Sequence, residues 1–305
     1  MLAAVLTRDG FRLDERPLPT PDAGQLLVRS EALGICEGDV YHYRQRKGLA
    51  AEQVLGHEGT GVVVGVGAGV TGFREGDRVT TLGGPYAEAY TVQAEMAVPV
   101  PEGLEPIHAL GEPIACCVHA AARFGVHPGD RVAMIGCGFM GLVCMQLARM
   151  QGAAEVVAVE PMPWRRETAH ELGADSVYGP EEDLSSFGAF DVVLEATGVQ
   201  GGLDLVGPLV REHGRAVLIG YHQSADGQRK VDMRQWNYKA IDIINGHVRR
   251  NDEKLEAARA SLALLQAGLL RVGPLVTAYS LPMIGQAFDD LVARKKGLYK
   301  AVLVP

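Results

Sequence analysis

The sequence predicts an α/β protein in which a β-rich unit precedes a doubly wound parallel sheet, with a short mixed tail after it. Three observations lead there. The first hundred residues break into short Val- and Thr-rich runs separated by Gly or Pro. From about Asp130, strand-like and helix-like stretches alternate. Within that alternation a glycine loop, GCGFMG at 136–141, joins a strand to a helix.

In the first unit LLVRSEALG, TGVVVGVG, DRVTTL and YTVQ read as strands. In the second, RVAMI (131–135) is a short buried strand and GLVCMQLARM (141–150) has helical spacing. EVVAVE (155–160) is the next strand and WRRETAHELGA (164–174) an amphipathic helix. DVVLEA (191–196) and AVLIG (216–220) are further strands with a helical stretch between them. In the tail, 255–268 and 282–295 read as helices and YKAVLVP as a closing strand. The expected boundaries are 1–115, 116–247 and 248–305. GDRV occurs at 76–79 and again at 129–132, but no longer repeat surrounds it, so each copy is a turn that feeds a strand.

The chain has 305 residues, 47% of them hydrophobic, enough for one large or two medium domains. A formal net charge of −8 argues against a nucleic-acid partner and predicts weak attraction to anionic membranes. The most apolar window, Val132 to Ala148, is interrupted by three glycines and Gln146, so it reads as buried strand and helix rather than a membrane span. The N-terminal apolar run has no basic residue before it and breaks at Thr7-Arg8-Asp9-Gly10, so no export leader is expected. Five cysteines, an odd number, then point to reduced thiols in a cytoplasmic protein.

The glycine loop has a specific physical reading. Gly136 permits the tight turn, Gly138 lets backbone approach a pyrophosphate, and Gly141 lets helix pack on strand. Phe139 and Met140 complete the loop, and the helix it opens offers N-terminal N–H groups and a dipole that favour phosphate. Glu160 ends the following strand, placed to accept from ribose hydroxyls and to repel a 2′-phosphate, which favours NAD over NADP. Arg165 and Arg166 lie just beyond it; they can bind a 2′-phosphate, stack on the adenine or simply face solvent.

A second set of polar residues is scattered. GICEGDVYH (34–42) holds Cys36, Glu37, Asp39 and His42; LGHEGTGVV (55–63) holds His57 and Glu58. GEPIACCVHAA (111–121) holds Glu112, Cys116, Cys117 and His119. Sulfur, imidazole and carboxylate are donors that zinc accepts. Their spread over three segments is unlike a structural site built from four cysteines, or from two cysteines and two histidines. Local spacing alone leaves the plainer reading open, a buried cysteine beside a polar turn.

These segments, with GGPYAEAY and VVAVE and in the same order, resemble the zinc-dependent medium-chain dehydrogenases/reductases of the alcohol and polyol dehydrogenase branch. The resemblance runs the length of the chain. It implies a GroES-like catalytic domain, a Rossmann domain and a C-terminal segment that rejoins the first. It makes Cys36 and His57 zinc ligands, with Glu58 able to bind the metal or swing against it. Glu112 is a further ligand, direct or through water, with Cys116 as its rival, and Asp39 orients the site. It implies reversible oxidation of a secondary alcohol to a ketone, zinc acting as Lewis acid and NAD taking the hydride. Small-molecule alcohols or ketones are then the partners, in a homodimer or homotetramer.

Two departures from the family pattern stand out. No cysteine lies between Cys36 and Cys116, so the cysteine-rich lobe of a structural zinc is absent and one zinc per chain is expected. Gly38 replaces the Ser or Thr that begins a proton relay, and Glu37, Tyr41 and His42 are the nearby candidates for that task. The acid-rich set suits a polyol, cyclitol or sugar derivative. Segment 220–247 carries Tyr221, His222, Trp236, Asn245 and His247, to which no role is assigned. The competing readings are a zinc-free quinone or enoyl reductase and a non-catalytic nucleotide-binding redox sensor.

Overall fold

A computed structural model describes residues 1–184 and 188–305. The chain opens with the hairpin β1 (Leu2–Thr7) and β2 (Gly10–Glu15), followed by the long strand β3 (Gln25–Gly34) and helix α1 (Glu37–Arg44). Strands β4 (Glu58–Val66), β5 (Arg78–Leu82), β6 (Ala89–Gln93) and β7 (Ala97–Pro99) follow, then helix α2 (Gly111–Ala121). The alternating part runs β8 (Arg131–Ile135), α3 (Phe139–Met150), β9 (Glu155–Val159), α4 (Pro163–Glu171), β10 (Ser176–Tyr178) and β11 (Phe190–Glu195). It continues with the short helices α5 (Gln200–Asp204) and α6 (Val206–Leu209), β12 (Val210–Leu218), α7 (Met233–Tyr238) and β13 (Asp242–Asn245). The tail is α8 (Asn251–Gln266), β14 (Val276–Ser280), α9 (Ile284–Val292) and β15 (Lys300–Val304).

Two compact units result, one of residues 1–115 with 250–305 and the other of residues 116–249. In the first, the sheet order is β14-β15-β3-β4-β5-β7, with β6 also paired to β3. The tail therefore enters the sheet of the N-terminal part, β15 pairing antiparallel with β3 at Val302–Gly34 and Leu303–Leu33. Its core gathers Leu6, Leu26, Val63, Tyr86, Phe288 and Leu303. In the second unit the order is β10-β9-β8-β11-β12-β13, every neighbour parallel. Val157, Val193, Val206 and Trp236 pack in its core, which accounts for Trp236 as packing. Beyond their first residues, Arg131 and Glu155, strands β8 and β9 are apolar and buried, because a parallel sheet is covered on both faces.

The structure departs from the sequence reading in a few places. The polar stretch after Cys36 is a helix, α1, and the segment from Gly111 is another, α2. In α1 Cys36 is the N-cap with extended backbone, acids Glu37 and Asp39 fill the first turn, and His42 and Arg44 the last. Charge placed this way complements the helix dipole, and no apolar periodicity is needed to announce it. The strand expected at 216–220 begins earlier, at Val210, and ends at Leu218. Among the described residues no helix is long and apolar enough to cross a membrane.

Candidate metal centre and nucleotide loop

The end of β3, the start of α1 and the start of β4 bring three donors together. Cys36, His57 and Glu58 each offer one ligand atom, and these atoms lie within 4.8 Å of one another. The Cys36 sulfur accepts from the Gly38 N–H at 3.4 Å, the capping contact that begins α1. Glu58 sits opposite Gly34 across the β3–β4 pair. A Cβ on Gly34 would lie 2.0 Å from the Glu58 Oε2, so glycine is what leaves room for that carboxylate. His57 is the open member, its side chain 41% exposed, whereas Glu58 is buried. One sulfur, one imidazole and one carboxylate, with one side open, fit the donor set of a catalytic zinc rather than a closed structural one.

The electrostatics show how this set is tolerated without metal. Burial, and then the charge of Glu58, push the Cys36 thiol up to about 12. Glu58 faces the Lys300 ammonium with both oxygens, at 2.7 Å and 2.6 Å, and the same ammonium donates to the Ile35 carbonyl at 2.8 Å. Burial works against the charge of Lys300, but attraction to Glu58 and Cys36 outweighs it and holds the ammonium above its ordinary range. Glu112 is placed outside the three-residue group. The amide of Gly111, bonded to the Thr80 hydroxyl at 2.9 Å, anchors the start of its helix. Its carboxylate pairs with Lys254 from α8 at 2.8 Å. Glu58 and Glu112 thus each have a lysine, and the burial of these two charges does not by itself require a metal. Cys116 also lies outside the group, and Cys117 is buried with its sulfur 3.8 Å from the Met140 carbonyl.

Asp39 is buried on α1 and lies between two partners. Its Oδ2 accepts from the Tyr86 hydroxyl at 2.5 Å and is 3.7 Å from His57 Nδ1. Burial, and then the charge of Asp39, hold the Tyr86 phenol well above its usual range, so it is a donor. Glu37 and His42 are exposed on α1, and Glu37 pairs with Arg44 at 3.1 Å. The reading from sequence assigned no role to Lys300, Lys254 or Tyr86. A lone lysine in the otherwise apolar run YKAVLVP is the one signal that pointed to the first.

In the second unit Gly136 has φ +91°, the left-handed region, and accepts the turn after β8. A Cβ on Gly141 would lie 2.0 Å from the Gly136 carbonyl oxygen, so the loop and α3 touch backbone to backbone. A Cβ on Gly138 would meet nothing within 4 Å, and Gly138 is the N-cap of α3, with Phe139 and Met140 the first helical residues. Open space over free helix N–H groups is what a phosphate needs. Glu160 is buried, and its oxygens accept from Cys137 N at 2.8 Å and Met162 N at 3.0 Å. It therefore braces the glycine loop, a task the sequence did not disclose. Arg166 donates to the Glu160 carbonyl at 3.0 Å, and the Arg165 guanidinium lies 5.0 Å from the Trp164 ring centre. At the ends of β12 and β13 a cavity of about 340 Å³ is lined by Tyr221, His222, Asn245, His247 and Arg249 among others.

The chain matches the alcohol dehydrogenase GroES-like domain model over residues 22–102 and the zinc-binding dehydrogenase model over 140–263. It is 30% identical to sorbitol dehydrogenase of Gallus gallus, over 90% of this chain and 88% of that one. It is 27% identical to 2-dehydro-3-deoxy-L-galactonate 5-dehydrogenase of Pseudoalteromonas atlantica, over 97% and 96%. In fold it resembles 2R,3R-butanediol dehydrogenase from Bacillus subtilis, with a TM-score of 0.86 at 24% identity over 100% and 99% of the two chains. With a GroES-like part, a glycine-loop part and a relative this similar along its length, the chain belongs to the zinc-dependent medium-chain dehydrogenases of the alcohol and polyol branch.

Proposed function

We propose that the protein is an NAD-dependent dehydrogenase that interconverts a secondary alcohol and its ketone, with a polyol, cyclitol or sugar derivative as substrate. The observation that carries this reading is the approach of Cys36, His57 and Glu58 to within 4.8 Å of one another. Sorbitol and sugar-acid dehydrogenases among the relatives support the substrate class. A zinc ion held here would supply Lewis acidity toward the substrate oxygen, and NAD would supply the hydride acceptor. Cys36, His57 and Glu58 would hold the metal, with Glu112 beside them, and Asp39 would orient His57. The N–H groups at the start of α3 would hold the pyrophosphate, and Arg165 would lie along the adenosine. Each Glu160 oxygen accepts one backbone N–H and keeps a further lone pair for a ribose hydroxyl. With Gly38 lacking a hydroxyl, either the substrate proton leaves by a route other than the usual relay or the chemistry differs. A cytoplasmic homodimer or homotetramer completes the reading. The edge strand β13, with Ile243 47% exposed, is a surface for such pairing.

The test is zinc content and turnover together. Protein purified without added metal is expected to hold close to one zinc per chain and to reduce NAD, in preference to NADP, on a panel of polyols. Absence of zinc even after reconstitution would overturn the metal reading and favour a zinc-free reductase. Zinc without turnover on any alcohol would favour a nucleotide-binding sensor.

A further inference from the structure

Tyr86 is fully buried, yet its hydroxyl meets a carboxylate rather than a backbone carbonyl. Its ring stands among Phe11 and Phe288, edge-on to each, with centroids 6.5 Å and 5.9 Å away. Phenylalanine would fill that aromatic cluster as well and would need no partner. Burying Asp39 merely to satisfy one phenol is a costly arrangement. The backbone of Tyr86 is also fixed on both sides. Its N–H donates to the Leu55 carbonyl at 2.9 Å, two residues before His57, and its carbonyl accepts from Ala4 N at 2.8 Å. Tyr86 thus touches the His57 segment through its backbone and α1, which carries Asp39 next to Cys36, through its side chain. One oxygen of Asp39 lies between the phenol at 2.5 Å and His57 Nδ1 at 3.7 Å. With Nδ1 turned to Asp39, Nε2 is the nitrogen left for a metal.

We infer that Tyr86 is a positioning residue for the metal centre: its hydroxyl fixes Asp39, and Asp39 in turn fixes the ring orientation and tautomer of His57. The inference rests on the zinc reading above and extends it by one hydrogen bond into the core. Outer partners of a metal-bound histidine change metal affinity substantially when removed. Tyr86→Phe keeps the ring and deletes only the hydroxyl.

The experiment measures zinc release to a chromophoric chelator and the visible spectrum of the cobalt-substituted protein, for wild type, Tyr86→Phe, Asp39→Asn and the double variant. Zinc release is expected to quicken about 3- to 10-fold in Tyr86→Phe and about 10- to 100-fold in Asp39→Asn. The double variant should match Asp39→Asn, since the phenol acts only through that carboxylate. The cobalt d–d bands should shift in Tyr86→Phe. Phe288→Leu disturbs the same aromatic cluster without touching the hydroxyl; it should lower Tm while leaving zinc release within about twofold. Zinc release and cobalt spectrum unchanged in Tyr86→Phe, or reproduced by Phe288→Leu, would overturn the inference and leave the zinc reading standing. If Tyr86→Phe does not fold, unchanged zinc release in Asp39→Asn overturns it equally. Wild-type protein that takes up neither zinc nor cobalt would overturn both.

Discussion

The glycine loop and the three-donor cluster are built in opposite ways. The loop is local: Gly136, Gly138, Gly141 and Glu160 fall within 25 consecutive residues, and two adjacent parallel strands hold them. What it presents at the open start of α3 is backbone, so residue size matters more there than residue chemistry. The cluster is assembled from distant places. Cys36 and Glu58 come from β3–α1 and β4, and the Lys300 that balances Glu58 lies 242 residues further on. Its function depends on side-chain chemistry, and a burial problem has to be solved alongside it. A local backbone site is tolerant of everything but bulk; a dispersed side-chain site is sensitive to each partner. Four measurements press on that contrast.

The largest effect should come from Cys36→Ser, which removes the soft donor. Zinc content should fall sharply from close to one per chain, and kcat/KM on the best alcohol should drop about 1000-fold or more, the scale of several kcal/mol of charge stabilisation. NADH binding, followed by its fluorescence, should persist. Loss of both together would show that the two regions are not separable.

Lys300→Met should come next. It strands the buried Glu58 carboxylate, and breaking a buried pair from one side costs about 3–5 kcal/mol. Denaturant unfolding of the metal-free protein should show this loss, and added zinc should restore part of it, because a cation again faces Glu58. A metal-free Lys300→Met protein as stable as wild type would contradict the pairing described here.

Gly141→Val tests the loop through bulk alone. A side chain there meets the Gly136 carbonyl, and the overpacking should cost about 1–3 kcal/mol. NADH affinity should fall while zinc content stays at the wild-type level. Retained NADH binding would show that the close approach of α3 is not what shapes the loop.

The smallest effect concerns His247 beside the second-unit cavity. Burial, followed by the charge of Arg249, holds its imidazole below the ordinary value, against the pull of the Gly220 carbonyl. The folded state therefore prefers the neutral ring. That preference supports folding above the unfolded pKa of about 6.5 and is lost as pH falls through the lowered folded value. Urea midpoints measured from pH 7.5 down to 5 should fall less steeply in His247→Gln than in wild type. Parallel curves would remove His247 from the account.

The alternating second unit was legible as a pattern because period and punctuation carry it: RVAMI, EVVAVE and DVVLEA became β8, β9 and β11 with ends shifted by at most one residue. Helix α1 was not, because its polar residues show no apolar period and its start rests on a capping contact from Cys36. The edge strands β13 and β14 escaped notice for a related reason, being short and half exposed. At the site, residue type offered a wider set of donors, and the family resemblance singled out Cys36, His57, Glu58 and Glu112 from it. Their arrangement is a matter of pairing: the β3–β4 register sets Glu58 opposite Gly34, whereas Glu112 turns to Lys254.

The sequence by itself determined the order of the two units, the glycine loop with its acid, and the donor types on offer, because each is written in neighbouring residues or in composition. Tertiary structure alone decided which donors meet, that Lys300 and Lys254 neutralise the two carboxylates, and that Tyr86 reaches Asp39. The contacts of Glu58 depend on strand register and on β15 returning to β3. Both are settled by burying apolar faces along the whole chain, and no local stretch encodes them.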